Sequence, residues 1–505
     1  MVTRFLKILF ILIATVLPAL NGAAQLSQRK LTLEDVLELA KKQSPDALMA
    51  KQSFRSSYWQ FRTFKATYLP NVELSATVPN VYRSITKVTN TETQRDTFFF
   101  QQNSNYFGSL SISKIIGFTG GSISLSTSLQ RMDNYILGTS SNSTTASTSY
   151  LSTPINISLD QPLFMYNPYK WERKIQPLLY EMAKRKYLED IEQVNLTTTT
   201  NFFNLLQAQI ENKIAQTTLA NYDTLYHIAQ GRFQLGKIAQ NELLSLKLRV
   251  LNGRAAVENS ALNLDQALYK FKSYLRIKDS IALVLVPPAG ITYFNVNPNK
   301  AVDLALQNSS AILEFNRREL QAASTVNKAK MDGRFDARLH GEFGYNNTAS
   351  TIAKSYKNPG DKEILTLGLT VPILDWGVAR GGIKIAESNQ EIEMNKVDQE
   401  RIDFQRQVYL LGIQFNMQKN QVMIAALSDT VARETYDVTK GRYLIGKNIT
   451  ITELNNAQSE TDGAQRDYYY ALKTYWNTYF QIRKLTLFDF MRNEPLRFNF
   501  EDVKP

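Results

Sequence analysis

The chain of 505 residues has no cysteine and only two histidines, and both scarcities narrow its chemistry. Without cysteine it can form no disulfide, no thiolate metal site and no lipid-modified N-terminal cysteine. His227 and His340 stand alone, without the His-x-x-x-His spacing that a metal site needs. We interpret both as structural residues, and the sequence predicts neither a metal nor a cofactor.

Groups that would indicate catalysis are also missing. The stretch FTGGS at 118–122 lacks the Lys-Ser/Thr ending of a phosphate loop. Asp160 in DQPLF has no second acid at the spacing that a glycosidase uses. The aromatic run Tyr468–Tyr470, with Tyr475 and Trp476, is typical of packing between helices. We therefore predict that the chain is not an enzyme.

A helix needs about 20 apolar residues to cross a membrane. The sequence has no apolar run of that length after its N-terminal stretch. Arg4 and Lys7 precede the apolar run Ile8–Leu17, and small residues lead up to Gln25. This pattern predicts a signal peptide over 1–24 and an exported protein. The run is short for the alternative, an uncleaved membrane anchor.

The chain is rich in apolar and basic residues. It is 43% hydrophobic and 11% aromatic, which argues against disorder. The formal net charge is +12, but Lys and Arg are interspersed with acids and form no basic tract. This distribution favours solvated helix faces, or contact with acidic lipid or protein surfaces, over binding to nucleic acid.

One motif occurs twice. GRFQLGK occupies Gly231–Lys237, and GRYLIGK occupies Gly441–Lys447, 210 residues later. A period this long indicates a duplicated chain and differs from the short periods of solenoids. The same offset aligns further pairs without a gap: Pro162 with Pro372, Lys174-Ile175 with Lys384-Ile385, Tyr226 with Tyr436, and Leu244 with Leu454.

Upstream, LELAKKQSP at 37–45 resembles VDLALQNSS at 302–310 with an offset of 265, so the first copy carries an insertion of more than fifty residues. The stretch 87–150, rich in Ser, Thr and Asn, is the candidate. The predicted organisation is a signal peptide over 1–24, a first repeat over 25–290, a second repeat over 291–488 and a C-terminal tail over 489–505.

Each copy contains a pair of long helices around the repeated motif. The predicted helical hairpins cover 169–278 and 377–485, and at 1.5 Å per residue their first legs are about 100 Å long. Helices of this length are stable only when they pack in coiled-coil-like layers. The motif then marks the bend, where Gly236 and Gly446 supply a permissive backbone.

Apolar and polar residues alternate before each hairpin, at 72–78 and 155–159 in the first copy and within 334–373 in the second. This alternation in an exported chain suggests a lipid-facing barrel, which must close because backbone groups in lipid need partners. Two strands per copy give four per chain, or more if the hairpin predicted at 110–116 and 122–129 within the insertion joins the sheet. Four strands cannot close, since the smallest barrels have about eight. The barrel must therefore be shared between chains. The alternative is a soluble β-sandwich with a coiled-coil stalk.

The two-fold repeat, Leu69-Pro70 before the first strand, QPLF at Gln161–Phe164 with its counterpart VPIL, and the twin bend motifs together resemble the TolC family of outer-membrane efflux proteins. The resemblance covers essentially the whole mature chain. It implies an α+β membrane protein that is internally duplicated. It implies a homotrimer with a 12-stranded transmembrane β-barrel in the outer membrane of a Gram-negative bacterium, and with an α-barrel tube of helical hairpins in the periplasm.

The same resemblance implies the function of an exit duct in a tripartite efflux or type I secretion system. Such a duct passes substrates from a periplasmic adaptor (membrane fusion) protein and an inner-membrane transporter to the exterior. The alternative function is a trimeric coiled-coil scaffold or adhesin stalk with β-domains and no conduction. The exported substrate, the identity of pump and adaptor, the resting state and the place of 87–150, in the barrel or in an external loop, stay open at this point.

Two groups of residues are the candidates for function. In the resembling family, second-copy carboxylates three residues apart ring the periplasmic entrance; here Glu453 matches the first and Asn456 takes the second place, and Glu242 is the acid past the first bend. The other interpretation of Glu453 is an acid in the first turn of a helix, favoured by the dipole. The candidates for adaptor docking are Gly231, Arg232, Leu235, Gly236, Lys237, Gly441, Arg442, Ile445, Gly446 and Lys447.

Overall fold

The structure is a computed structural model that describes residues 28–89, 96–137, 144–278, 282–288, 290–445 and 449–502. The predicted signal peptide and the candidate residues Gly446 and Lys447 lie outside the described residues. The helices and strands run in this order: β1 Gln28–Leu31, α1 Leu33–Gln43, α2 Pro45–Thr67, β2 Asn71–Thr89, β3 Asp96–Ile116, β4 Gly121–Leu137, β5 Thr144–Leu163, α3 Pro168–Gln234, α4 Gln240–Leu275, β6 Ala282–Leu285, α5 Pro298–Asn308, α6 Ser310–Asp332, β7 Asp336–Ala349, α7 Ile352–Ser355, β8 Gly360–Thr370, α8 Val378–Leu444, α9 Ile451–Thr486, β9 Phe488–Asp489 and β10 Glu494–Pro495.

The helices of the two copies have equal lengths in the same order. The α1 and α5 helices have 11 residues each, α2 and α6 have 23, α3 and α8 have 67, and α4 and α9 have 36. This agreement supports the duplication that the sequence indicates. No helix in the described part of the chain is long and apolar enough to cross a membrane.

The chain divides into two compact units. The first contains the described parts of Met1–Arg55, Lys184–Ser310 and Ile402–Pro505, and the second contains Ser56–Ala183 and Ala311–Arg401. The first unit is helical apart from short strands, and β1 pairs in parallel with β6 within it. The second unit contains the large sheet.

The core of the first unit forms where the short elements of both copies pack on the long helices. Leu31 of β1, Val36 of α1 and Ala301 of α5 are buried together with Phe202 of α3 and Phe415 of α8. Leucine, valine and alanine make up most of this core, and aromatic rings of the long helices fill it, because residues at spacings of three and four on these helices face inward at this level.

The sheet of the second unit has six antiparallel strands in the order β2-β3-β4-β5-β7-β8. The insertion at 87–150 therefore belongs to this sheet: its described residues supply all of β3 and β4, and both stand between β2 and β5. A 12-stranded barrel of three chains needs four strands from each chain, and this sheet has six. Among the described residues, β2 and β8 each pair on one side only.

Candidate functional site

The first helical hairpin turns at the repeated motif. The Lys237 N–H donates to the carbonyl oxygen of Arg232 at 2.8 Å, and the Gly236 N–H donates to that of Phe233 at 2.9 Å. These two bonds are those of a Schellman motif, which needs a left-handed residue just past the helix. Gly236 has a φ of +68°, and no atom lies within 4 Å of the place where a Cβ would stand. The left-handed backbone conformation, and not a lack of space, therefore requires a glycine at position 236.

Arg232 links the first bend to the second hairpin. One guanidinium nitrogen, Nη2, donates to the carbonyl oxygens of Tyr443 at 3.3 Å and Leu444 at 3.2 Å. The same guanidinium lies 5.3 Å from the centre of the Tyr443 ring. Because the last carbonyls of α8 lack partners within the helix, Arg232 caps that helix from the other copy.

The second bend continues into α9 through a capping box. The Thr450 N–H donates to Oε2 of Glu453 at 2.7 Å, and the Glu453 N–H donates to Oγ1 of Thr450 at 3.2 Å. These bonds from Thr450, together with the charge of Arg442, hold the pKa of the Glu453 carboxyl below its usual value. Glu453 is thus an exposed, ionised acid with a defined role in the helix start.

The other two entrance candidates differ in their surroundings. Asn456 lies one turn after Glu453 and is exposed. Glu242 is half-buried, and its negative charge adds to burial in raising the pKa of the Tyr443 hydroxyl. The structure therefore places Glu242 against the helical packing beneath the bends, and Glu453 and Asn456 at the surface.

An aromatic and aliphatic cluster fixes the two bends together. Leu225, Leu246, Tyr436, Tyr443 and Leu454 are buried within it, and they come from all four long helices. The remaining docking candidates, Gly231, Lys237, Gly441 and Arg442, are exposed.

The surface at the bends is apolar at its most exposed points. Leu235 is 71% exposed and Ile445 is 70% exposed. These residues occupy equivalent places in the two copies of the motif. Phe233 and Leu444 add further exposed apolar area. Exposed aliphatic side chains at adjoining bends are typical of a surface that another protein covers.

A polar network above the bends was missed by the sequence reasoning. Nδ2 of Asn221 donates to Gln458 at 3.4 Å, and Lys440 donates to Oδ1 of Asn221 at 3.0 Å. Nε2 of Gln458 donates to Asp462 at 2.9 Å, and burial raises the pKa of that carboxyl. The available signal was the spacing of polar residues on the inner stripe of α9, where a coiled coil usually has apolar ones.

The large sheet has two chemically different faces. Directly paired residues share a face, so the row Val72, Ile112, Leu125 and Ile157 crosses four strands on one side. All four side chains are exposed. The opposite face carries serines and charged groups, where His340 bonds to Asp160 at 2.8 Å and to Glu342 at 3.1 Å.

Comparison with known proteins gives a family and a fold. The sequence model of the family Outer membrane efflux protein matches residues 121–275 and 301–486. No curated protein matches the chain. The outer membrane channel CmeC of Campylobacter jejuni aligns with a TM-score of 0.64 and 14% identity, over 93% of this chain and 88% of that one.

Two further solved structures have the same fold. The outer membrane protein VceC of Vibrio cholerae aligns with a TM-score of 0.62 and 12% identity, over 92% of this chain and 97% of that one. The open state of the MtrE outer membrane channel of Neisseria gonorrhoeae aligns with a TM-score of 0.57 and 12% identity, over 90% and 88%. At these identities the likeness concerns the fold alone.

Proposed function

Since the chain belongs to the outer membrane efflux protein family, we propose that it is the exit duct of a multipart export machine, carrying substrates from a periplasmic adaptor and an inner-membrane transporter to the exterior. Its membership in that family makes it an efflux channel and not an enzyme. The observation that carries the proposal is the amphipathic sheet, whose edge strands β2 and β8 each lack a second neighbouring strand in the described part of the chain. In lipid, every backbone group needs a partner, so such a sheet must be closed by further strands.

Other copies of the same chain are the source of those strands in our proposal. The edge of β8 in one copy would pair with the edge of β2 in the next, which closes a ring without any open edge. Closure by three copies makes the homotrimer that the sequence predicts. The apolar face would then contact lipid, and the polar face would line the lumen.

The helix α8 supports this assembly because it carries two seven-residue repeats. One repeat is buried in its own chain, at Val408, Phe415, Val422 and Tyr436. The other lies on the opposite side and is more than half exposed throughout. It consists of Leu410, Met417, Ile424, Val431 and Val438. A heptad repeat of apolar residues specifies a helical partner, so α8 needs a second neighbour besides its own chain.

A matching surface lies on α4. Leu248 and Leu262 are exposed, as are Leu244 and Leu251, and each pair is spaced for a coiled-coil seam. We propose that the exposed repeat of α8 packs on this surface of the neighbouring copy. A closed tube of helices follows, because every hairpin then has a neighbour on both sides.

Docking of the adaptor is assigned to the bends. Leu235 and Ile445 protrude from adjoining hairpins. The hydrogen bonds from Arg232 to the last carbonyls of α8 hold the two hairpins in register. The other candidate residues of the motif shape the turns. Replacing both Leu235 and Ile445 by aspartate should reduce photocrosslinking of the adaptor at least tenfold while trimers still form.

Met49→Asp is the matched control for this experiment. Met49 is also largely exposed, at 61%, but belongs to α2, among the elements that pack on the main core of the first unit. Unchanged crosslinking in the double variant, or an equal loss in Met49→Asp, would show that the adaptor does not dock at the bends.

The periplasmic entrance is assigned to Glu453, which would form a ring of three carboxylates in the trimer. The bonds from Thr450 favour the ionised form of each of these carboxyls by lowering its pKa, and like charges close together attract cations. Asn456 leaves the second position of the entrance uncharged. Glu453→Gln should lower the cation preference and the block by divalent cations of single channels in planar bilayers, and Asn456→Asp should raise both.

Conductance also separates a duct from the alternative of a scaffold or stalk. Purified trimers of a duct conduct ions across a planar bilayer, and a stalk does not. Unaltered ion selectivity in Glu453→Gln would be compatible with a duct but would show that Glu453 does not line its entrance.

A further inference from the structure

We propose that the inserted strands β3 and β4 are part of the lipid-facing wall, so that each copy contributes six strands and a trimer closes an eighteen-stranded barrel. This inference rests on the proposed function, since it assumes that the sheet closes in a membrane. It differs from the twelve strands that the family resemblance implies, and it assigns the insertion to the pore itself.

The hydrogen-bond ladders place the inserted strands inside the sheet. The β3 strand pairs with β2 from Asn71↔Ser113 to Thr89↔Asp96, and β4 pairs with β5 over most of its length. Neither strand is at an edge. Removing the hairpin from the wall would break both of these ladders, and in lipid each backbone group left unpaired costs several kcal/mol.

The face pattern continues through the insertion without a break. Ile112 of β3 pairs with Leu125 of β4, and their neighbours on either side are Val72 and Ile157. On the other face, the hydroxyls of Ser75 and Ser109 are 2.7 Å apart, and those of Ser124 and Ser158 are 2.6 Å apart. A hairpin that formed an external loop in water would have no reason to match the lipid side of its neighbours row by row.

The amphipathic part of each inserted strand is long enough to cross a bilayer. On β4 the serine side is unbroken for nine residues, from Gly121 to Leu129. The paired stretch Gly108–Ile116 of β3 has the same length and alternates strictly from Ser109 to Ser113, and transmembrane strands need about 9–11 residues. Within these two stretches, the one charge on the side of Ile112 and Leu125 is Lys114, which stands two residues from the end of β3, where a long side chain reaches the headgroups.

The turn between β3 and β4 lies at the helical end of the sheet. Nδ2 of Asn167, next to the start of α3, donates to the carbonyl oxygens of Gly117 at 3.2 Å and Phe118 at 3.1 Å. Oδ1 of the same residue accepts from the Tyr169 N–H at 3.0 Å. Asn167 thus ties the inserted turn to the first turn of the helix, whereas an external loop would have its turn at the opposite end.

Exposed aromatic residues mark this end of the sheet as a membrane interface. Phe118 in the inserted turn is 86% exposed, and Phe164 after β5 and Trp376 after β8 are also largely exposed. Rings at the ends of the strands form the aromatic girdle of outer-membrane barrels. The insertion supplies its own member of that girdle.

The consequence is a wider pore on the membrane side. With strands about 4.8 Å apart and tilted by about 40°, twelve strands give a backbone diameter of about 24 Å and eighteen give about 36 Å. The cross-section enclosed by the backbone is then about 2.2-fold larger.

The test uses the absence of cysteine, since one introduced thiol is the only site for a nitroxide label. Leu125→Cys and Ser124→Cys place labels on opposite faces of β4 in trimers held in lipid nanodiscs. The label at 125 should be at least fivefold more accessible to dissolved oxygen than to a water-soluble nickel chelate, relative to the label at 124. Similar accessibility of both labels to the chelate would overturn the proposal.

Leu367→Cys and Thr366→Cys on β8 separate this proposal from the proposed function. If the two labels on β8 differ in their accessibility to oxygen and chelate and the two labels on β4 do not, the barrel exists and the insertion lies outside it. If the two labels have similar accessibility on both strands, the sheet is not a membrane wall and the proposed function fails. Electron cryomicroscopy of the unlabelled trimer gives an independent readout: eighteen strands are expected, and twelve would refute the inference.

Discussion

The exposed heptad repeat on α8 leads to a quantitative prediction about assembly. Fully burying an isoleucine side chain contributes about 1.5–3 kcal/mol, and 56% of Ile424 is still exposed in a single copy. Covering the remainder contributes about 1–1.5 kcal/mol, and alanine retains one methyl group, so Ile424→Ala should cost about 1 kcal/mol per copy. Three copies lose about 3 kcal/mol, which is roughly a 150-fold smaller association constant.

Mass photometry in detergent measures this loss as the fraction of trimer over a dilution series equilibrated from refolded monomers. Met423→Ala is the matched control, because Met423 is 54% exposed and adjacent but lies outside the repeat. It should shift the half-assembly concentration much less than Ile424→Ala does. Equal shifts in the two variants, or none in Ile424→Ala, would refute the assignment of this stripe to the interface between copies.

Three other predictions concern the helical unit. Thr450→Ala removes the capping box of α9, and we expect a loss of about 1 kcal/mol of local stability, measured as faster amide hydrogen exchange in the first turn. Because the pKa of Glu453 lies below its usual value of 4.5, the cap acts fully above that pH and is lost as the pH falls through the lower pKa. Protection of the same amides should therefore decline only below that value, and Glu453→Gln should abolish this pH dependence. Arg483→Met should destabilise the first unit by about 3–5 kcal/mol in denaturant unfolding, because Arg483 pairs with the buried carboxylates of Glu192 at 2.9 Å and Asp489 at 3.1 Å. Adding Glu192→Gln should restore part of the lost stability. An unchanged stability in Arg483→Met would contradict a structural role for these ion pairs.

The sequence predicted the helices better than the strands. The first legs of the hairpins were expected near Tyr169–Leu235 and Val378–Lys440, and α3 and α8 cover Pro168–Gln234 and Val378–Leu444. The first strand was expected only at 72–78, whereas β2 runs on to Thr89. The outer half of this strand mixes serine, threonine and basic residues with apolar ones, so the alternation that identifies a half-buried strand fades there.

The sequence alone determined the duplication, the long hairpins, their bends and the two-faced strands. These features are periodic or local: a repeat of 210 residues, a spacing of three and four, an alternation of two and a left-handed glycine are each visible along the chain.

Only the tertiary structure decided which distant groups meet. It placed β3 and β4 between β2 and β5, brought Arg232 to the end of α8, and paired Arg483 with Glu192 across 291 residues. Strand neighbours and buried polar partners depend on how the whole chain packs, because desolvated donors and charges must find each other in space. No local pattern in the sequence records that choice.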